Sequence, residues 1–431
     1  MNQLDLSSSQ TDVDKLKRHL MDRVDVLMEA NHAILDEDRQ TISDYLEQAY
    51  QELNPGFSDS VKTQMLKEIL DGILGFGPLQ PLLDDPDITE VMVNGINKIY
   101  VERKGKITKT DVSFANDAQI LRLIERIILP LGRTIDANNP TVDARLPDGS
   151  RVNAVIPPVM VEGPCITIRK FQSDKLGFEQ LVKLGSISEN MVKLLRACVL
   201  GRLNILISGG TGSGKTTLLN ILSSFIPDDE RIITIEDAAE LQLQQEHVLR
   251  METKPPNVDG RYAKTIRDLV VNSLRMRPDR IVVGECRSGE ALDMLQAMNT
   301  GHDGSLTTVH ANSPRDAAER LETLCLMAGL DLPVRSIRKQ IAAAIDLIIQ
   351  VSRFSDGSRK VTSITEISGM EGEVITMTEI FKFEQRKVDY DGTVIGELSA
   401  TGVRPFFSQK LESKGLELER ELFISNRHDR W

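Results

Sequence analysis

The first part of the chain alternates apolar and charged residues at helical spacing. Residues 11–53 are rich in leucine, methionine and charged side chains and contain no glycine or proline, which predicts helices there. Asn54-Pro55-Gly56 predicts a break, and a second helix is expected at about 59–73. We interpret residues 1–74 as a helical N-terminal arm without chemistry of its own.

Short strand-like runs replace the helical pattern after Gly75. Val91 to Gly95 and Ile99 to Glu102 predict two strands around an Asn-Gly turn. Further strands are expected at Arg151 to Ile156 and Cys165 to Arg169, with an amphipathic helix at Ile120 to Leu131. Residues 75–171 therefore predict a smaller α/β N-domain.

A polar stretch at 172–179 carries one glycine and predicts a hinge before the second domain, 180–431. That domain contains short runs typical of buried strands, separated by helical stretches. The runs are Leu203 to Ser208, Arg231 to Ile235 and Arg280 to Gly284. Such alternation predicts an α/β fold with a parallel sheet between helices. Polar strands after Glu371 and a charged helix near 407–414 are expected to extend it.

The net charge of −12 disfavours a nucleic-acid surface, because phosphate binding needs a basic excess. Four widely spaced cysteines predict neither a disulfide framework nor a zinc site. The first residues do not resemble a signal peptide, and no apolar run approaches the span of a bilayer. These features predict a cytoplasmic protein, or one peripheral to the cytoplasmic face of a membrane.

One segment carries a complete phosphate-binding pattern, G-x-x-x-x-G-K-[ST], between an apolar strand and a leucine-rich helix. Its glycines let backbone N–H groups point at phosphates, and the helix adds its positive end. Lys215 is expected to meet the β- and γ-phosphates of ATP, and Thr216 to offer its hydroxyl to Mg²⁺. The predicted nucleotide-binding residues are Gly209, Gly210, Thr211, Gly212, Ser213, Gly214, Lys215, Thr216 and Thr217.

Acidic residues end two other predicted strands. Ile281 to Glu285 places Glu285 where a parallel sheet presents its ligand site, and we expect it to polarise the attacking water or reach the metal. Gly284 stands where many phosphate-loop enzymes carry an aspartate. Ile233 to Asp237, with Glu240, adds a cluster in which Glu236 is a candidate general base.

Histidines and arginines supply the remaining candidates. His302 and His310 lie in one glycine-spaced, hydroxyl-rich segment, which suggests a sensor of the γ-phosphate. Guanidinium groups can neutralise a transferring phosphoryl group. Candidates are Arg145, Arg151 and Arg169 in the smaller domain and, near the second nucleotide strand, Arg261, Arg267, Arg275, Arg277, Arg280 and Arg287. Surface salt bridges explain most of them equally well.

In this order, the phosphate loop, the acidic segment, the Gly-Glu strand end and the histidine segment resemble the secretion ATPase superfamily of type II and type IV secretion systems and type IV pili. Three further segments are similar to its CpaF-like branch, which powers Tad (Flp) pili. They are Gly75-Phe76-Gly77-Pro78-Leu79-Gln80-Pro81-Leu82-Leu83, Glu90 to Gly95, and Ala400-Thr401-Gly402-Val403-Arg404-Pro405.

This resemblance implies a RecA-like ATPase domain linked to an N-domain, a homohexameric ring, and a polytopic inner-membrane platform protein as partner. It implies that N-domain arginines reach the γ-phosphate, with Arg169 and Arg151 matching best, and that Gly284 is normal. The leading interpretation is a Tad pilus motor, working in assembly and potentially in retraction. Alternatives are the ATPase of a secretion or DNA-transfer system and, from another class, a nucleotide-binding scaffold that barely hydrolyses ATP.

Overall fold

The computed structural model describes residues 16, 20, 23, 39–53, 59–103, 105–171, 176–256, 261–390 and 392–424. Their contacts divide the chain into two compact units, 1–173 and 174–431. Of the helices predicted at 11–53, the part before residue 39 lies outside the described residues except for the helical positions 16, 20 and 23, and so do the break at 54–56 and the hinge residues 172–175. The predicted helical arm and N-domain fall within one unit.

The first unit combines helices with an antiparallel sheet. Its helices are α1 (Arg39–Leu53), α2 (Asp59–Leu74), α3 (Gln80–Asp84) and α4 (Asp117–Ile128), with 3₁₀ turns at Gly77–Leu79 and Leu129–Leu131. Its strands are β1 (Ile88–Asn94), β2 (Ile99–Arg103), β3 (Lys106–Lys109), β4 (Thr141–Arg145), β5 (Arg151–Val155) and β6 (Cys165–Arg169). The strand order is β3-β2-β1-β6-β5-β4.

Helix α4 shows how the sequence sets its own boundaries. The side chain of Asn116 caps its first turn by accepting a hydrogen bond from the backbone N–H of Gln119 at 2.9 Å. Isoleucines and leucines at helical spacing, such as Ile120 and Ile124, are buried against the sheet. Gly132, in the left-handed region at φ +66°, ends the segment.

The second unit is built on a nine-stranded sheet. Its helices are α5 (Phe178–Lys183), α6 (Glu189–Leu200), α7 (Lys215–Ser223), α8 (Ile266–Ser273), α9 (Glu290–Asn299), α10 (Pro314–Leu326), α11 (Val334–Ala344) and α12 (Ser408–Glu412), with a 3₁₀ turn at Arg420–Phe423. Its strands are β7 (Ile205–Gly209), β8 (Ile232–Glu236), β9 (Val248–Glu252), β10 (Arg280–Val283), β11 (Leu306–Val309), β12 (Leu347–Arg353), β13 (Arg359–Glu371), β14 (Val374–Val388) and β15 (Val394–Ala400).

The strand order β15-β14-β13-β12-β7-β11-β10-β8-β9 is parallel from β12 to β9 and antiparallel from β12 to β15. All residues of β7, β8, β10 and β11 are buried. Alternate residues serve opposite faces: Ile205 and Ile207 lie in one hydrophobic core and Leu206 in another. A sheet covered on both faces explains why these strands are mostly apolar and do not alternate with exposed polar residues.

Arg280, at the amino edge of this sheet, is saturated by a carboxylate and by backbone carbonyls. Arg280, fully buried at the start of β10, pairs with Glu230 and donates to the carbonyls of Val199 and Gly304 at 2.7 and 3.1 Å. For Arg280, the structure therefore supports the salt-bridge alternative that the sequence left open. Away from this edge, Arg267 on α8 pairs with Asp293 on α9 at 2.7 Å.

The C-terminal segment, 401–424, closes this edge. Lys410 lies 3.3 Å from the carboxylate of Asp346, and Lys414 donates to the carbonyl of Gly201 at 2.8 Å. Glu366 accepts hydrogen bonds from two backbone N–H groups of the segment at 2.8 and 3.0 Å. Its apolar side chains belong to the core beneath β7: Phe407, Leu411, Leu418, Leu422 and Phe423.

The end of the predicted hinge needs a correction. Phe178 and Glu179 are not part of a linker but begin α5. The side chain of Gln180 accepts a hydrogen bond from the Gly177 N–H at 2.9 Å, and the ring of Phe178 stacks on Phe225 with centroids 4.3 Å apart. This aromatic contact anchors the start of the second unit, and sequence spacing alone does not reveal it.

Candidate active site

The candidate site is formed where neighbouring parallel strands end. The phosphate loop follows β7, His310 follows β11, Glu285 follows β10 and Asp237 follows β8. These strands are consecutive neighbours in the order β7-β11-β10-β8. The carboxyl ends of parallel strands meet at one edge, so the four predicted segments converge there.

The phosphate loop has the backbone that its glycines predict. Gly212 and Gly214 have φ values of +67° and +97°, in the left-handed region that glycine adopts without strain. At Gly209 there is no room for a side chain, because a Cβ would lie 2.5 Å from the carbonyl oxygen of Val351 on the adjacent strand. Ser213 donates its hydroxyl to the Gly210 carbonyl at 2.9 Å and closes the loop.

Lys215, the first residue of α7, folds back over the loop. Its Nζ donates to the carbonyls of Gly209 and Gly210, each at 3.0 Å. Burial lowers the pKa of Lys215, while the negative charge of Glu285 opposes that shift. The ammonium thus stands inside the loop, within electrostatic reach of the predicted catalytic carboxylate.

Glu285 is held in place from both sides. Arg287 contacts its carboxylate with Nε and Nη2 at 2.8 and 2.6 Å and extends Nη1 to Asp237 at 2.9 Å. Burial disfavours the charged guanidinium, but the hydrogen bond and charge of Glu285 raise the pKa of Arg287. The hydroxyl of Thr308 on β11 donates to the carbonyl of Gly284 at 2.8 Å, which ties the Glu285 loop to the neighbouring strand.

Glu236 explains the glycine at position 284. A Cβ on Gly284 would lie 2.9 Å from Cγ of Glu236, so the neighbouring side chain fills the place of the missing aspartate. Glu236 is buried, and its carboxylate accepts hydrogen bonds from the N–H groups of Glu240 and Leu241 at 2.8 and 3.1 Å. Here it organises the acidic loop; the catalytic role of Glu236 stays a prediction.

The two histidines lie at opposite ends of β11. His310 follows the strand at the carboxyl edge and is exposed, so it can meet a ligand beside the phosphate loop. His302 precedes the strand at the amino edge, where its backbone carbonyl accepts a hydrogen bond from the Ser305 hydroxyl at 2.8 Å. The idea of a paired histidine sensor is therefore wrong, and only His310 remains a candidate.

The three candidate arginines of the first unit form one row across its sheet. Arg145 on β4 pairs in register with Arg151 on β5, which pairs with Arg169 on β6. Residues directly opposite in antiparallel strands point to the same face. Glu90 on β1 continues the row beside Arg169, whose charge opposes the rise that burial causes in the pKa of Glu90.

A divalent metal can be held here only with help from the nucleotide. Within the described ranges, no cluster of three or more histidine, cysteine, aspartate or glutamate side chains is arranged to bind a metal. Thr216, half-buried in the first turn of α7, can offer one hydroxyl, and Glu285 lies nearby. Phosphate oxygens and water would supply the remaining ligands, which is how Mg²⁺ commonly binds with nucleotides.

Comparison with known proteins decides the family. The pattern of a family described as type II/IV secretion system protein matches residues 73–384, well over half of the chain. This chain belongs to that family.

Three relatives illustrate the family. The chain is 36% identical to a putative conjugal transfer protein of Mycobacterium tuberculosis over 319 residues, covering 73% of this chain and 90% of that protein. It is 35% identical to the conjugal transfer protein TrbB of Rhizobium radiobacter over 293 residues, covering 67% and 86%. The solved VirB11 ATPase of the Brucella suis type IV secretion system, in complex with sulphate, is 30% identical, covering 67% of this chain and 94% of that one, with a TM-score of 0.36.

As a type II/IV secretion family member with an intact phosphate loop at the end of a parallel sheet, the protein is an α/β ATPase, and it uses ATP with a divalent cation. The prediction of fold class and of ATPase activity is confirmed. Among the described residues, no helix is both long and apolar enough to cross a bilayer.

Sequence reasoning missed two arginines at the loop. Arg353 ends β12 and Arg359 begins β13, and both lie beside the phosphate loop. Their only sequence signal is that they flank the turn Phe354-Ser355-Asp356-Gly357-Ser358. More than 130 residues separate them from the loop, so spacing could not link them to it.

Proposed function

We propose that this secretion-family ATPase powers the assembly of a Tad/Flp-type pilus from the cytoplasmic face of the inner membrane. It works as a homohexamer with Mg²⁺ and ATP and is peripheral to the membrane through a polytopic platform protein. No nucleic acid takes part. The convergence of Lys215, Glu285 and His310 at one sheet edge supports the motor chemistry.

The segment beyond the family match supports the choice of branch. The match ends at residue 384, yet the chain continues through β15 and the C-terminal segment into the ATPase core. The Tad-like residues Ala400 to Pro405 lie at the junction between them. There Glu366 fixes the N–H groups of Phe406 and Phe407, so this part is integral to the ATPase unit.

A second candidate function is DNA transfer or protein secretion. The names of two relatives, which describe conjugal transfer proteins, favour it. Both functions use the same ATPase chemistry, and only the machine attached to the ring differs.

A genetic experiment separates the two. Deletion of the gene should abolish surface pili, measured by electron microscopy and by shearing of filaments, and leave conjugal transfer unchanged. The wild-type gene should restore pili and a Glu285→Gln gene should not. Loss of transfer with normal pili would instead establish the second function.

The Glu285→Gln protein also tests the assignment of the site. The amide keeps the shape of the side chain but removes the charge that polarises water, so we expect ATP hydrolysis to fall at least about 100-fold. Binding of a fluorescent ATP analogue should stay within a few-fold of wild type. A variant that binds no nucleotide would make Glu285 an anchoring residue instead of a catalytic one.

Arg169 is the proposed link between nucleotide state and domain closure. Contact of its guanidinium with a γ-phosphate would favour closure only while that phosphate is present. A bias of about 1–3 kcal/mol is enough to order firing around a ring. Arg169→Ala should lower turnover and weaken the difference in hydrogen exchange across 172–179 between ATP-analogue and ADP states. If the full difference persists, the sensor must be sought at Arg151 or Arg145.

A further inference from the structure

The hairpin of β12 and β13 reaches past the edge of the sheet beside the phosphate loop. Strand β12 is parallel to β7, and Val351 lies opposite Gly209, the first residue of the loop. Arg353, two residues further on, therefore extends beyond the point where the loop leaves the sheet. Arg359 begins the returning strand at the same level.

Both arginines approach the loop closely. Nε of Arg359 donates to the carbonyl of Gly212 at 2.9 Å, and its Cδ lies 3.4 Å from the place of a Cβ on Gly214. Nη1 of Arg353 lies 3.6 Å from the place of a Cβ on Gly212. The loop glycines thus leave room for these side chains as well as for phosphate.

Two like charges stand opposite each other on this hairpin. Arg353 and Arg359 are register partners, and like charges in that position are destabilising. Across the described residues, neither arginine forms an ion pair with a carboxylate, whereas Arg287 on the other side of the site has two acidic partners. An anion between the two guanidinium groups would relieve the repulsion.

The hairpin tip is fixed before any ligand arrives. Asp356 accepts hydrogen bonds from the N–H groups of Ser358 and Val394, each at 2.8 Å. The ring of Phe354 packs edge-on against Phe383 of β14, with centroids 5.2 Å apart. A ligand therefore meets arginines on a preorganised element, which reduces the ordering that binding requires.

We propose that Arg359 and Arg353 bind the phosphate chain of the nucleotide from the side of the loop opposite Glu285. When nucleotide enters, Arg359 exchanges the Gly212 carbonyl for a phosphate oxygen. Strands β12 and β10 lie on opposite sides of β7, so these arginines are remote from the cleavage side. They increase the affinity for both ATP and ADP. This proposal depends on the assignment of the nucleotide site and not on the proposed role in pilus assembly.

The test compares Arg359→Gln, Arg353→Gln and the double variant with wild type in the full-length protein. Lys360→Gln is the matched control, because it removes one positive charge a single residue away, where Nζ of Lys360 donates to the carbonyl of Gly185. For each protein, fluorescent-ADP affinity, KM and kcat for ATP, and thermal unfolding are measured at two salt concentrations.

We expect Arg359→Gln to raise the Kd for ADP and the KM for ATP about tenfold, with less than a threefold change in kcat. Arg353→Gln should have a smaller effect in the same direction, and the double variant the largest effect and a weaker salt dependence. Arg359→Lys should recover part of the affinity, since it keeps the charge but loses the planar fork. The control should match wild type.

Two results would overturn the proposal. An ADP affinity within twofold of wild type in the folded double variant would make the arginines structural. A collapse of kcat at unchanged ADP affinity would place them at the reacting phosphate instead. Lys215→Ala, measured alongside, separates this failure from a failure of the site itself: if it also binds ADP like wild type, the nucleotide lies elsewhere.

Discussion

The two edges of the nine-stranded sheet use the same residue types for opposite purposes. At the amino edge, Arg280 is fully buried, and Glu230 and two backbone carbonyls saturate its guanidinium. At the carboxyl edge, Arg359 is exposed and holds the carbonyl of Gly212, a contact that an incoming phosphate can replace. One arginine is committed to the fold, whereas the other is available to a ligand.

The difference follows from the backbone. In a parallel sheet, the loops that leave the carboxyl ends are free to differ in length, and here they carry the phosphate loop, Glu285 and His310. The amino edge is covered by the C-terminal segment, so each polar group there needs a permanent partner. Exchangeable partners mark the functional edge, and permanent partners mark the structural one.

Lys215→Ala removes a phosphate-binding group at the carboxyl edge and should have the largest effect of these variants, on ATP turnover. Removing the ammonium deletes the charge that faces the β- and γ-phosphates, so ATP turnover should fall by about 1,000-fold or more. The fold should remain intact by circular dichroism, and pilus assembly should stop. Wild-type hydrolysis by the folded variant would contradict the assignment of the site.

Arg280→Met removes the buried guanidinium at the amino edge. It leaves the carboxylate of Glu230 with Arg202 alone, at 3.2 Å, and leaves the carbonyls of Val199 and Gly304 without their donor, so we expect a loss of about 3–5 kcal/mol in the free energy of unfolding. Arg267→Met is the control, because the Arg267 pair with Asp293 is partly exposed and should be worth about 1 kcal/mol or less. Urea unfolding measures both; equal losses would mean that burial does not distinguish the two pairs.

Asn204→Ala tests how much an uncharged hydrogen-bonding side chain at the amino edge contributes to stability. Its side chain donates to the carbonyl of Ala344 at 2.7 Å and accepts from the N–H groups of Gly304 and Ser305 at 2.8 and 3.0 Å. Leaving these groups unpaired should cost about 2–3 kcal/mol. Asn299→Ala, at an exposed position, should change the free energy of unfolding by less than about 0.5 kcal/mol.

Asp346→Asn tests the amino edge through the pH dependence of the free energy of unfolding, and it should have the smallest effect of these variants. Burial raises the pKa of Asp346 above its usual 3.8, against the opposing charge of Lys410. Folding therefore penalises the charged form at neutral pH, and the penalty fades as pH falls through the folded pKa toward 3.8. Relative to the variant, wild type should gain stability in urea unfolding as the pH falls from 7.5 to 4.5. A gap that does not move with pH would show that Lys410 fully compensates the burial.

The sequence predicts the features that are formed by residues close together in the chain. The phosphate loop and its flanking strand and helix are contiguous in the chain, so Gly209 to Thr216 could be assigned with their geometry. Strands β7, β8 and β10 are mostly apolar because both faces of the sheet are covered, and the pattern of apolar residues reveals that. Glu285 follows from its place after such a strand.

Contacts between distant segments could not be predicted. The filling of the Gly284 position by Glu236 depends on strand neighbours, and so does the approach of Arg359 to Gly212. The separation of His302 from His310 depends on where β11 begins, which the polar residues around it conceal. Strand β9, half-exposed at the sheet edge, lacks the apolar run that marks the others.

The core of the ATPase unit is complete only after the C-terminal segment has been synthesised and has docked. Leu411 packs against Gly201 so closely that a Cβ there would lie 2.1 Å from it, in the same core as Ile205 of β7. A ribosome adds about 5–20 residues per second, so roughly 10–40 s pass between the synthesis of these two parts of the core. During that interval the phosphate loop exists without its full support, and the nascent chain exposes apolar surface that a chaperone can recognise.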